Sequence, residues 1–244
     1  MTEKTLFKCS VKMLYPIISN MNEILTECSF KISSNGLKAI KTDNSNVCLM
    51  DIDIKPSFFD ELTKEDITIN LNISDLYKAL KDNKKQQISF ILSDDNNIIL
   101  SFSNGIKTTI KQIEDYENTF KDLPIMDFKT SMVINSDYFK DIIKNFNNIA
   151  DTTTFNLNEK GFYLSAIGEI NKSEIEINKD AYRILKDYGI VISKYSNEYL
   201  IKFLKCLLSN EITLSFNSEY PLMLEYNIKD LFTIKYILAP RITE

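Results

Sequence analysis

Apolar residues recur at helical spacing in four stretches of the chain. The first stretch has the i, i+3, i+4, i+7 and i+11 spacing of a helix with one buried face, at Leu14, Ile17, Ile18, Met21 and Leu25. Pro16 lies in this stretch, and because proline fits the first helical turn, we expect the helix to begin just before it. The other three predicted helices begin near Ser74, Ser136 and Ser196, since serine is a favourable N-cap residue.

Between the predicted helices, apolar and polar residues alternate as they do in strands with one buried face. The clearest runs are Phe30-Lys31-Ile32, Asp51-Ile52-Asp53-Ile54, Ile88–Leu92 and Ile98–Phe102. A Ser-Asn-Gly turn at 34–36 and a polar turn at 93–97 follow two of these runs, as in hairpins. Helices that cover one face of an antiparallel sheet define the α+β class, which we predict for this chain.

The same order of helices and strands occurs twice. An offset of 125 residues places Phe30-Lys31-Ile32 on Phe155-Asn156-Leu157, and an offset of 124 places Lys78 and Lys81 on Lys202 and Lys205. Two tandem copies of one large supersecondary unit explain this agreement. The polar, acidic segment 114–125 interrupts the pattern, so we predict an N-terminal domain at 1–113, a linker at 114–125 and a C-terminal domain at 126–244.

The composition is that of an ordinary globular protein, with 44% hydrophobic and 26% charged residues in 244. The net charge is -5, and Arg183 and Arg241 are the two arginines among 29 basic residues. Since arginine is the usual reader of guanine edges, sequence-specific DNA recognition is disfavoured, although a local basic surface remains possible. Neither a membrane-spanning run nor the apolar core of a signal peptide is found, so we expect a protein that is neither membrane-bound nor exported.

Reactive chemistry is poorly represented. Cys9, Cys28, Cys48 and Cys206 are widely spaced and the chain has no histidine, so we expect buried, reduced thiols and no metal site. Asp51 and Asp53 could in principle hold a metal, but alternation on a solvated strand explains them more simply. Because no phosphate-binding loop, nucleophile elbow or histidine base is present, we predict no enzymatic activity, no catalytic residue and no cofactor.

Lysines lie beside the apolar stripe of every predicted helix. Exposed lysines often only solvate a helix, but their equal position in the two repeats favours a shared role in binding phosphates without reading bases. The candidate DNA-binding residues are Lys12, Lys78, Lys81, Lys140, Lys144, Lys202 and Lys205.

Several motifs resemble those of the proliferating cell nuclear antigen (PCNA) family of DNA sliding clamps. They are the C-terminal segments Pro221–Tyr226 and Tyr236–Arg241, the loop Asp43-Asn44-Ser45-Asn46-Val47, and the linker end Asp122-Leu123-Pro124. The resemblance covers essentially the whole chain. It implies a ring of three subunits that encircles double-stranded DNA, with twelve helices lining the hole and sheets forming the outer wall. It also implies a processivity factor that docks DNA polymerase and other replication and repair proteins.

The resemblance further implies a groove under the linker, where clients such as DNA polymerase, ligase and flap nuclease insert a short peptide. Matched by position, its residues are Thr42, Asn46, Leu123, Pro221, Ile237, Ala239 and Pro240. Asn46 departs from the arginine or histidine of the family, and Thr42 is more polar than the residue often found there, so the preferred peptide motif stays open. A separate ATP-driven clamp loader is implied as well.

Subunits of the family pair the last strand of the first half with an edge strand of the second, here 105–113 and 181–187. The candidate contact residues are Ile106, Ile110, Tyr182 and Ile184. The sequence leaves open a heterotrimeric or checkpoint-type clamp subunit and a monomeric processivity factor. The resemblance implies a cytoplasmic, nucleoid-associated location in an archaeal or prokaryote-like viral setting, and a nuclear or viral-factory location in a eukaryotic one.

Overall fold

The structure is a computed structural model that describes residues 3–114, 123, 125–186 and 189–242. The chain forms two compact units, one of Met1–Asn44, Met50–Leu123 and Ile228–Ile234, the other of Ser45–Leu49, Pro124–Asn227 and Lys235–Glu244. Most of the expected linker 114–125, and Asp187 at the end of the expected contact strand, lie outside the described residues.

Helices and strands alternate along the described chain. The helices are α1 (Val11–Asn22), α2 (Ile73–Lys81), α3 (Ser136–Asn147) and α4 (Asn197–Phe203). The strands of the first half are β1 (Lys4–Ser10), β2 (Glu27–Ser33), β3 (Gly36–Thr42), β4 (Cys48–Ile54), β5 (Glu61–Leu62), β6 (Ile67–Asn72), β7 (Gln87–Leu92), β8 (Asn97–Phe102) and β9 (Lys107–Lys111). Those of the second half are β10 (Thr130–Asn135), β11 (Thr152–Asn158), β12 (Gly161–Ile167), β13 (Lys172–Glu176), β14 (Tyr182–Lys186), β15 (Val191–Ser196), β16 (Glu211–Phe216), β17 (Leu222–Ile228) and β18 (Phe232–Leu238). Short 3₁₀ turns occur at Pro56–Phe58 and Lys179–Ala181.

The repeat predicted from the sequence is present in the structure. Helix α3 begins and ends 125 residues after α1, and β16 begins and ends 124 residues after β7. Strand pairs such as β2 with β3 and β11 with β12 are antiparallel hairpins at the same place in each repeat. The predicted α+β class and the two-copy plan are therefore confirmed.

Each unit contains two groups of neighbouring strands. In the first unit the order is β5-β1-β7-β8-β9 in one sheet and β4-β3-β2-β6 in the other group. In the second unit the corresponding orders are β14-β10-β16-β17 and β13-β12-β11-β15. Strands β9, β13 and β14 each lie at the end of their group, so one side of each strand has no neighbour in the described chain.

The helices of the first unit pack their apolar faces on the strands. The contacting side chains surround one small apolar cavity and are Phe7, Leu14, Ile17, Ile18, Met21, Phe30, Leu37, Ile52, Ile54, Ile69, Leu71, Leu76 and Phe90. In the second unit an aromatic cluster has the same place. The Phe155 ring lies edge-on to Tyr195 and Phe216, with ring centroids 5.1 and 5.6 Å apart. Burial of these large side chains is the main stabilising contribution in each unit.

The helix starts differ from the expectation in detail. Helix α1 begins at Val11, so Pro16 lies in the second turn and not in the first, and the Lys12 carbonyl receives no hydrogen bond from it. Asn72 and Asn135, rather than Ser74 and Ser136, cap α2 and α3 with their side-chain oxygens. Asparagine and serine are about equally favourable caps, so the serine one or two residues later was not decisive.

None of the helices in the described part of the chain has the length and apolar character needed to cross a membrane.

Candidate functional site

The two helices of the first unit expose lysines on the side opposite their buried residues. Lys12 in α1 and Lys78 and Lys81 in α2 are exposed. The Lys78 ammonium lies 3.6 Å from a carboxylate oxygen of Asp75, one turn earlier, which is a weak pair at such exposure. Within the described residues Lys12 and Lys81 take part in no ion pair, so their full charge is available to an anionic partner.

The lysines of the second unit are more engaged. Lys140 in α3 donates a hydrogen bond of 2.9 Å to the backbone carbonyl of Lys205. The Lys202 ammonium in α4 lies 2.6 Å from a Glu198 carboxylate oxygen. Lys144 in α3 is exposed and has no ion pair among the residues that the structure describes. Of the lysines predicted here, Lys144 therefore offers its charge most freely.

One predicted position requires a correction. Helix α4 ends at Phe203, so Lys205 lies beyond the helix and does not share the helical phase of Lys81, which is the last residue of α2. Leu204, the C-cap of the helix, is buried, and the chain then turns, with the Lys205 amide donating to the Lys202 carbonyl at 3.4 Å. Lys205 remains exposed.

Two further lysines were missed in the sequence. Lys84 and Lys85 follow α2 and are exposed, and the Lys84 ammonium lies 4.0 Å from the centroid of the Tyr15 ring in α1. The spacing of three residues from Lys78 to Lys81 to Lys84 could have pointed to them. The basic surface of the first unit is thus larger than predicted.

The groove residues predicted for the second unit lie on connected segments. The Ala239 amide donates to the Val47 carbonyl at 2.9 Å, which places the C-terminal segment beside the loop that contains Asn46. Asn46 is exposed with a φ of 55°, a conformation that asparagine tolerates better than most residues. Pro221, Ile237, Ala239 and Pro240 are all half-buried, so part of each side chain can be covered by a ligand.

Thr42 and Leu123 belong to the first unit. Thr42 ends β3, and both residues are half-buried. Asp122 and Pro124, which flank Leu123 in the linker motif, lie outside the described residues. That the seven residues together form one groove therefore stays a prediction.

Both strands expected at the subunit contact are edge strands. Ile106, just before β9, is 49% exposed, and Ile184 in β14 is 40% exposed, whereas Tyr182 is half-buried against the Phe162 ring. Ile110 was expected at the contact surface, but it faces the core of its own unit and is only 6% exposed, so its side chain does not lie on that surface. Leu185, 55% exposed, was missed, although an Ile-Leu pair between basic residues was visible in the sequence.

Asp51 and Asp53 in β4 were considered above as an alternative metal site, and the structure gives one of them a different role. Asp53 accepts a hydrogen bond of 2.6 Å from the Lys55 ammonium, which lies two residues further along the chain. The described residues contain no group of three or more metal-ligating side chains.

The thiols of Cys9, Cys28 and Cys48 are buried, and burial, together with the charge of Asp60, raises the pKa of Cys9 to about 12. Such a thiol is unreactive at neutral pH.

Two copies of one α+β unit, each with two lysine-bearing helices and open edge strands, define the structural class of a DNA clamp. The family models for the N-terminal and C-terminal domains of proliferating cell nuclear antigen match residues 1–130 and 122–241. The chain belongs to the PCNA family.

Known proteins agree with this membership. The DNA polymerase sliding clamp of Thermococcus gammatolerans is 28% identical over 240 residues, covering 93% of this chain and 94% of the relative. The structure of the C-terminal region of FEN-1 bound to A. fulgidus PCNA matches with a TM-score of 0.87 at 20% identity, over 100% of both chains. The PCNA2–PCNA3 complex from Sulfolobus tokodaii matches with a TM-score of 0.84 at 23% identity, over 98% and 99% of the two chains. At these identities the two structures show the fold alone.

Family membership and the curated relatives together give the chain the function of a DNA sliding clamp, which is a non-enzymatic role in DNA replication. The positions of its DNA, peptide and subunit contacts remain predictions.

Proposed function

We propose that this chain forms a ring around double-stranded DNA and acts as a processivity factor and docking platform. The observation that carries the proposal is the repeated α+β unit whose four helices all carry lysine away from the core. Lysine ammonium groups attract phosphates as point charges and read no base, so they hold DNA without fixing a register. The net charge of -5 keeps DNA from binding elsewhere on the surface.

The ring requires self-association, for which we propose a trimer. Edge strand β9 carries Lys107 and Lys111, both exposed, and needs a partner strand with open backbone groups. Strand β14, the partner expected from the sequence, carries Arg183 and Lys186 and would bring cations together. Strand β13 is also an edge strand and carries exposed Glu174 and Glu176. Because opposite charges stabilise cross-strand pairs, we place the contact between β9 of one subunit and β13 of the next.

A heterotrimer, a checkpoint-type clamp and a monomer are the alternatives to a trimer of identical chains. The S. tokodaii structure is a complex of two different PCNA chains, PCNA2 and PCNA3, which favours a heterotrimer as the second candidate. A checkpoint-type clamp or a monomeric processivity factor would need no identical partner. Co-expression with a second clamp chain from the same source, followed by mass measurement, separates a heterotrimer from a homotrimer.

Clients dock, in this proposal, through a short peptide at the predicted groove. The support is that A. fulgidus PCNA was solved with the C-terminal region of FEN-1, and that Pro221, Ile237, Ala239 and Pro240 are half-buried apolar residues here. Half-buried apolar side chains suit the anchors of an incoming peptide. DNA polymerase, ligase and flap nuclease are the client classes, and a clamp loader opens the ring.

The proposed domain arrangement is 1–113, a linker at 114–125 and 126–244, with the groove under the linker. We propose that the protein is located on DNA, in the compartment where the genome is replicated.

The DNA surface is tested by the salt dependence of binding to a short labelled duplex. Each phosphate contact contributes about 0.9 to the slope of log affinity against log salt concentration. Lys144→Gln should reduce affinity and lower this slope. The matched control is Lys229→Gln, the same change at an exposed turn residue outside the candidate DNA-binding set, which should leave affinity and slope unchanged. Unchanged binding by Lys144→Gln and by Lys81→Gln would contradict a lysine-lined DNA surface.

The groove is tested with a synthetic peptide of the FEN-1 C-terminal region as the probe. Ile237→Glu should weaken peptide binding by about tenfold or more, because a half-buried carboxylate opposes an apolar anchor. Thr233→Glu lies on the same strand four residues away and serves as the control. Equal weakening in both variants would move the peptide site away from the groove.

A further inference from the structure

Strand β9, the proposed contact strand of the first unit, is held weakly by its own core. Ile110 is the one buried residue among its five. Its counterpart β18, which follows β17 as β9 follows β8, has four buried residues, namely Phe232, Ile234, Tyr236 and Leu238. Because burial of apolar side chains is the main force that fixes a strand, β9 needs an anchor of another kind.

Gln112, the residue that follows β9 directly, supplies such an anchor through its side chain. Its Oε1 atom accepts a hydrogen bond of 3.0 Å from the backbone amide of Asn70 in β6. Its Nε2 atom donates to the backbone oxygen of Asn96 at 3.0 Å and to the side-chain oxygen of the same residue at 2.8 Å. Asn96 lies in the turn between β7 and β8, so one amide group connects the end of β9 to two other segments.

The backbone after β9 makes a related contact in each repeat. The Ile113 amide donates to the Asn70 carbonyl at 3.1 Å, and the Arg241 amide donates to the Lys194 carbonyl at 2.8 Å. Lys194 follows Asn70 by the same offset of 124 residues that relates β7 to β16. Pro240, the residue before Arg241, has no side-chain amide. The glutamine anchor is therefore specific to the first unit, beside the strand with less buried apolar surface.

The loss of this anchor would leave β9 less ordered in a free subunit. Gln112 and Asn70 are half-buried, and a backbone N–H that loses its acceptor away from water is costly. Lys111, which immediately precedes Gln112, is one of the two cations expected to face β13. Ordering a loose backbone residue on association opposes assembly through conformational entropy. An anchored Gln112 therefore fixes the backbone of Lys111 before a partner arrives.

We propose that Gln112 is a positioning residue for subunit assembly. Its side chain holds the C-terminal end of β9 extended in the free subunit, so that β13 of the next subunit can pair with it. This inference rests on the proposed ring and adds to it the residue that prepares the contact strand.

The test measures dissociation of the full chain by light scattering over a dilution series. Gln112→Met keeps the side-chain length and removes all three hydrogen bonds. The dissociation constant of the subunit contact should rise about 5- to 30-fold, the cost of ordering one further backbone residue on association. Gln87→Met is the matched control, because the exposed Gln87 side chain makes no hydrogen bond within the described residues.

A second variant tests the anchor from its other side. Asn96→Gly removes one acceptor of the Gln112 amide and keeps the other, which is a backbone oxygen. Glycine adopts the φ of 60° at this position readily, so the turn is retained. The dissociation constant should rise about 2- to 10-fold, the range of one hydrogen bond.

Amide hydrogen exchange separates positioning from a general loss of stability. In the diluted, dissociated chain, Gln112→Met should speed exchange in β9 and leave exchange in β7 unchanged. Weaker assembly of Gln112→Met and Asn96→Gly, with faster exchange confined to β9 and normal assembly of Gln87→Met, supports the inference.

Three results would overturn it. If Gln112→Met forms a trimer as tightly as the unmodified chain, the inference is wrong and the proposed ring stands. A lower urea midpoint of Gln112→Met with unchanged assembly would show that the residue stabilises the fold and does not prepare the contact. An unmodified chain that stays monomeric at every concentration would overturn both the ring of identical chains and the inference.

Discussion

Reversal of charge on one edge strand should dissociate the proposed ring. Lys107 and Lys111 are the exposed cations of β9, and Glu174 and Glu176 are the exposed anions of β13. The variant Lys107→Glu/Lys111→Glu places four carboxylates where two cations faced two anions. The reversal Glu174→Lys/Glu176→Lys on β13 should also dissociate the ring, and both reversals combined in one chain should restore assembly, because every contact then joins opposite charges again.

The size of the effect follows from cross-strand energetics. An opposite-charge pair contributes about 0.2–1 kcal/mol and a like-charge pair costs a similar amount, so each reversed pair changes the contact by about 0.4–2 kcal/mol. Two such pairs give about 1–4 kcal/mol per subunit contact, which corresponds to a factor between about 5 and 1,000 in the association constant. Lys172 already pairs with Glu174 at 2.8 Å, so the lower half of this range is the expectation.

Light scattering over a dilution series measures the assembly. The unmodified chain should show three times its mass of 28.3 kDa, and the β9 variant should dissociate at a higher concentration. Lys229→Glu, a single charge reversal at an exposed turn residue, is the control for charge reversal away from the edge strands. Tighter assembly of Arg183→Glu, combined with no effect of the β13 variant, would refute the reasoning and place the contact on β14.

Three further predictions concern stability and thiol chemistry. Asn72→Ala removes the oxygen that accepts from the Asp75 amide at 3.1 Å, and should lower the free energy of unfolding by about 1 kcal/mol in urea titration. Pro16→Ala supplies the missing amide donor in the second turn of α1 and should raise that free energy by about 1–3 kcal/mol, whereas an unchanged urea midpoint would show that the helix is not strained there. In native labelling with a thiol reagent at pH 8, half-buried Cys206 should react well before Cys9, whose raised pKa of about 12 keeps it protonated. Because the pKa of Cys9 is raised, deprotonation of its thiol opposes folding. The contribution of Cys9 to the free energy of unfolding should be complete below pH 9 and should be lost as the pH rises from about 9 to about 12. At alkaline pH the protein should therefore unfold before Cys9 is labelled.

The repeat made most of the fold predictable from the sequence. Apolar spacing is set by the buried faces of helices and strands. Ile17 matches Ile142 and Phe90 matches Leu214, and all four side chains are buried, so each match indicates a core position shared by the two repeats. The offsets seen in the sequence reappear in the bounds of α1 and α3 and of β7 and β16. The family resemblance rested on other residues and led to the same fold.

The details that could not be predicted depend on local competition or on tertiary structure. Helix α4 ends at Phe203 with Leu204 as its C-cap, and nothing in the apolar spacing separates that end from one two residues later at Lys205. The burial of Ile110 depends on which face of β9 meets its own core. The stacking of Tyr15 on Tyr77 depends on how α1 lies beside α2, which no local pattern encodes.

The most direct test of the central claim measures retention on DNA of different topology. The protein is assembled on nicked circular plasmid with the clamp loader of a PCNA relative and ATP, freed of unbound chains, and challenged with high salt before and after a single restriction cut. A closed ring that binds by topology should stay on the circle at high salt and leave once the plasmid is linear, unless the ends are blocked. Equal release from circular and linear plasmid, or retention that ignores the cut, would contradict the account.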